Sequence, residues 1–162
     1  MNNSRSYKLI EIISAIFILL FLYTALSKFF SLQRFQFTLS RSPIIGDSAA
    51  WLSWFLPSFE LLTVVLLFIP AIRLLGLYLS FALMFVFTGY IGIMLLSSSR
   101  LPCSCGGILQ QLSWKDHLIV NTVLTGLAIL GCVLEIKRIR SFQASCLLNN
   151  LLQQIRSSRK PV

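Results

Sequence analysis

Acidic side chains are nearly missing from this sequence. Five Asp and Glu stand against 14 Lys and Arg, and charged residues of both signs fill only 12% of its 162 positions. A soluble domain carries about a quarter of its residues as charge, so a soluble enzyme is excluded. No strand-like alternation of polar and apolar residues runs along the chain, which excludes a membrane β-barrel. No internal repeat is visible. No small-residue cleavage site follows Phe30, so the first apolar run reads as a retained helix and not as a signal peptide.

Apolar residues, by contrast, make up 56% of the chain. A helix crossing lipid needs roughly 20 mostly apolar residues. Four stretches qualify, about 9–30, 49–69, 74–96 and 117–135. In lipid every backbone N–H and C=O must be bonded within its own segment, so helices are expected. The fold class is therefore all-α: an integral membrane bundle of four transmembrane helices over residues 1–135. Residues 136–162 form a basic tail, in which Leu148, Leu151, Leu152 and Ile155 share one helical face. That tail reads either as an amphipathic helix on the inner leaflet or as a disordered segment.

The net charge of +9 would suggest nucleic acid in a soluble protein. Here the cations sit at span boundaries, where the positive-inside rule accounts for them, and no nucleic-acid partner is implied. With four spans, nine cations (Arg5, Lys8, Arg73, Lys137, Arg138, Arg140, Arg156, Arg159 and Lys160) fall on one side. Five (Lys28, Arg34, Arg41, Arg100 and Lys115) fall on the other. Both termini are therefore expected in the cytoplasm, with the loops 31–48 and 97–116 outside.

The outer loop before the fourth span carries Leu101-Pro102-Cys103-Ser104-Cys105-Gly106-Gly107. Proline and paired glycines mark a tight turn, and disulfides persist outside the cytoplasm. A ring closed by two thiols one residue apart gains little loop entropy and is strained. Strained, exposed disulfides are the labile ones. The pair thus points to thiol–disulfide exchange, with Cys103, further from the following helix, preferred as the attacking sulfur. Two other readings stay open. Cys103 and Cys105 could bind a soft metal with His117 as third ligand, or the thiols could be inert. Cys132 reads as a small apolar helix residue and Cys146 as a tail thiol.

Ionisable residues inside a span are expensive and by default functional candidates. Glu60 in the second span is one, and Lys28 near the outer end of the first is its expected partner. The pair could fix helix packing, or Glu60 could relay protons. Glu11 reads as structural. Trp114, His117 and Asn121 share one face at the start of the fourth span, and His117 is a candidate thiolate stabiliser.

These residues resemble the methylamine utilisation protein MauE family, within the wider DoxX-like group of four-helix membrane proteins. The resemblance covers about Lys8 to Leu134. It is carried by Ala25-Leu26-Ser27-Lys28-Phe29 with Phe35, by Pro57-x-x-Glu60-Leu61, and most specifically by Cys103-Ser104-Cys105-Gly106-Gly107. The stretch Leu112-Ser113-Trp114-x-x-His117-x-x-x-Asn121 resembles a subgroup with the same cysteine form. Gly106 stands where the MauE motif has phenylalanine, a departure that leaves the cysteine pair intact. The resemblance implies a bacterial inner-membrane redox component that aids maturation of an exported protein. MauE itself is implicated in making methylamine dehydrogenase, whose small subunit is disulfide-rich. A thioredoxin-like or disulfide-containing partner is implied. A membrane quinone is the natural electron carrier, although no quinone motif is legible and no second membrane-embedded cysteine pair could relay electrons. The rival reading is a non-enzymatic assembly factor or metal-binding partner for an exported protein.

Overall fold

The computed structural model describes residues 3–42, 45–96 and 114–158. Five α-helices follow in order: α1 Asn3–Phe30, α2 Leu32–Ser40, α3 Ala49–Phe68, α4 Arg73–Leu96 and α5 Trp114–Ser158, with a 3₁₀ turn over Gly46–Ser48 before α3. The described residues contain no strand. Four of the helices are long and apolar enough to cross a membrane, as the apolar runs required. The protein is an all-helical, multi-pass membrane protein.

Helix α1 packs on α3 and α5, and α4 packs on α3 and α5, so the four long helices close into a ring. Successive long helices run antiparallel. The ends of α1 and α4 and the starts of α3 and α5 therefore meet at one end of the bundle, here called the loop end. The opposite end, with the α3–α4 turn, is the base. Large apolar side chains such as Leu19, Phe85, Val86 and Val123 point outward. In a soluble protein they would be a liability; around a membrane bundle they form the lipid-facing wall.

The core is a column of Ile10, Ile13, Phe17 and Phe21 from α1, Leu67 from α3, Leu77 and Met84 from α4, and Ala128, Cys132 and Leu134 from α5. Phe17 and Phe21 stack at 5.9 Å between centroids. Lipid tails are as apolar as leucine, so helices gain most from close fit, and small residues provide it. Gly131 is such a residue. A Cβ there would stand 3.0 Å from Leu77 Cδ2 and 3.1 Å from Ile13 Cγ2, so α1, α4 and α5 meet at this point. At Gly76 a Cβ would come within 2.8 Å of the Leu67 backbone nitrogen. There α3 and α4 approach almost backbone to backbone, just above the four-residue turn 69–72 that joins them. Pro57 lies inside α3 and is fully buried. It cannot donate to the carbonyl one turn back, a defect that membrane helices tolerate when neighbours enclose it.

Two features depart from the sequence reading. The outer segment 31–48, expected as a loop, contains the nine-residue helix α2, which packs along α3 and buries Phe35. The segment after residue 135, read as a tail that is either helical or disordered, is helical through Ser158 and continuous with the fourth span. Helix α5 runs unbroken for 45 residues, about 68 Å at the usual rise and roughly twice the hydrocarbon thickness.

Candidate functional site

The two candidates in the first and second spans meet at the loop end. Lys28, in the last turn of α1, donates from Nζ to Glu60 Oε1 in α3. Both are deeply buried, at 4% and 1% exposure. A buried ammonium needs more than one favourable neighbour. Its Nζ also lies 5.7 Å from the Phe35 ring centroid of α2 and 5.4 Å from that of Phe87 in α4, within range of cation–π attraction. One lysine thus gathers α1, α2, α3 and α4. Thr24 stands beside the Glu60 carboxylate, yet Glu60 Oε2 has no hydrogen-bond partner.

His117 and Asn121 are each buried to 8% exposure on α5. Asn121 Nδ2 donates to the His117 carbonyl at 2.9 Å, Thr125 Oγ1 donates to the Asn121 carbonyl at 2.8 Å, and the Thr125 hydroxyl meets that of Thr88 in α4 at 3.2 Å. Helical register sets their height. Gly131 faces Ile13, and α1 and α5 run antiparallel. Lys28 is fifteen residues up α1 from Ile13, and His117 is fourteen up α5 from Gly131. At about 1.5 Å per residue, both stand roughly 21–23 Å above that contact. His117 is therefore level with the Lys28–Glu60 pair.

Cys103 and Cys105 lie outside the described residues. The segment that carries them joins α4, which ends at Leu96, to α5, which begins at Trp114. Both of its anchors are thus at the loop end, with the buried pair and His117. Cys132 and Cys146 are free thiols, the first buried in the core and the second exposed. Among the described residues no three His, Cys, Asp or Glu converge as metal ligands. A site of Cys103, Cys105 and His117 would draw two of its three ligands from outside them.

A second polar cluster, not singled out from the sequence, lies at the base. Glu135 of α5 is 2% exposed and accepts from Arg138 Nη1 at 2.8 Å. The Arg138 guanidinium stands 5.3 Å from the Tyr7 ring centroid of α1, and Tyr7 faces Glu11. Arg73, the first residue of α4, is 7% exposed, and its Nε and Nη1 have no partner; nor does Glu135 Oε2. Arg73 and Glu135 each lie one helical turn below the Leu77–Gly131 contact, so they share one level. The signal that would have found them is Glu135 itself, an acid followed three residues later by Arg138 at the end of an apolar run.

A family model described as methylamine utilisation protein MauE matches residues 6–134. No curated protein and no solved structure matches the chain.

Proposed function

The chain belongs to the family of the methylamine utilisation protein MauE, and we propose that it acts there as a membrane thiol–disulfide redox protein. Cys103 and Cys105 exchange a disulfide with a thioredoxin-like or disulfide-containing protein outside the bacterial inner membrane, aiding maturation of an exported client. Exchange passes through a mixed disulfide between Cys103 and a partner sulfur, which the Cys105 thiolate resolves. Each turnover moves two electrons and two protons. A membrane quinone is the class of carrier that takes or supplies them, and no residue is assigned to its seat.

The observation that carries the reading is the union of a Cys-x-Cys segment with the polar end of an otherwise apolar bundle. Both anchors of that segment stand at the loop end, just beyond His117 and the Lys28–Glu60 pair. In this proposal His117 stabilises the departing thiolate. The ion pair holds the loop end in one arrangement, and the unpartnered Glu60 Oε2 is the acceptor available for a proton released there.

The test is alkylation of intact cells with a membrane-impermeant thiol reagent, before and after mild reduction. Labelling of Cys103 and Cys105 only after reduction is the expected result. Free labelling without reduction would replace the redox reading with a metal-binding or docking role for an assembly factor. Labelling only in opened membranes would invert the topology.

A further inference from the structure

We propose that the extension of α5 beyond Arg138 is a membrane-surface segment that binds anionic lipid headgroups at the base of the bundle. Arg138 stands over Tyr7 at the start of the α1 span, which marks the edge of the bundle. The described side chains from Arg140 to Leu152 are all exposed, so none of them is buried against another helix. Leu148, Leu151 and Leu152 fall on one face by helical spacing, at 58%, 48% and 55% exposure. On the same projection Arg138 flanks that stripe on one side and Arg140 on the other. Cys146, Asn149, Asn150 and Gln154 take the opposite face.

Charge decides the occupant. From Ile136 to Val162 the chain has Lys137, Arg138, Arg140, Arg156, Arg159 and Lys160 and no Asp or Glu. A second copy would set these cations against themselves. An anionic bilayer meets them, accepts the leucines below the headgroups, and lets the flanking arginines reach phosphate. The helix must bend just past Arg138 to lie down. Ser145 Oγ already bonds the Ser141 carbonyl at 3.0 Å, the kind of back-bonding that bends helices.

The test uses the full chain, one copy per lipid nanodisc, with a fluorophore on a single cysteine. One form carries Leu148→Cys and the other keeps Cys146; the remaining cysteines are replaced by serine. Discs contain lipids with a quencher on the acyl chain. With phosphatidylglycerol present, quenching at position 148 should exceed that at 146 several-fold. The ratio should fall towards one in phosphatidylcholine alone, in high salt, or when Arg138 and Arg140 are changed to Gln. Equal quenching at both positions in phosphatidylglycerol would overturn the proposal. So would an asymmetry that appears only when two chains share a disc, which would assign the stripe to a second copy.

Discussion

The bundle carries a buried carboxylate near each end, and the two are neutralised in different ways. At the loop end Glu60 meets a lysine 32 residues away on another helix, with the side chains at 1% and 5% exposure. At the base Glu135 meets an arginine three residues away on its own helix, and that arginine's side chain is 35% exposed. The second pair forms wherever α5 is helical. The first exists only when α1 and α3 are packed, with Phe35 and Phe87 closing over the ammonium. A charge unpaired in hydrocarbon is expensive, so the loop-end pair penalises any arrangement that separates α1 from α3. It specifies which helices are neighbours; the base pair specifies little beyond local order.

That contrast can be broken by substitution. Lys28→Met leaves Glu60 buried without a counter-charge and should destabilise the bundle by about 3–5 kcal/mol, read from unfolding in detergent. Changing both residues, Lys28→Met with Glu60→Leu, should recover most of the loss. A single change costing no more than the double one would remove the tie between α1 and α3.

Between the two ends, Gly131→Val should lose about 1–3 kcal/mol by overpacking against Leu77 and Ile13. The same unfolding measurement then separates damage by volume from damage by charge. The smallest effect belongs to the base. Arg138→Gln should cost no more than about 1 kcal/mol, as for a part-exposed local pair, because Arg73, whose Nε and Nη1 have no hydrogen-bond partner, stands level with Glu135. A loss as large as that of Lys28→Met would mean the two ends are alike.

What could be read from sequence follows the same physics. Each span is an apolar run longer than any soluble helix needs, so the four crossings were legible. Glu60 announced its need for a cation, and Lys28 is the cation within the neighbouring apolar run. The base cluster was hidden because the apolar run ends at Glu135 itself, and Arg73 falls between the second and third runs. Helix α2 was hidden because nine residues with a single buried aromatic, Phe35, give a weak pattern. The length of α5 was hidden by a change of composition. After Leu134 the chain turns polar, yet neither Gly nor Pro interrupts it until Pro161, so nothing ends the helix when the apolar run ends. The cysteine pair was legible as chemistry, but its placement lies outside the described residues.

The join between α3 and α4 bears on how the protein enters its membrane. Only residues 69–72 separate the two helices, and the Ile72 nitrogen already donates to the Ile69 carbonyl at 3.1 Å. Gly76 then brings α4 against the α3 backbone within its first turn. A connection this short leaves no slack for one helix to settle in lipid while the other waits in water. The short turn and the close approach make α3 and α4 one helical hairpin. α1 and α5 pack onto that hairpin, and the Lys28–Glu60 contact ties α1 to α3.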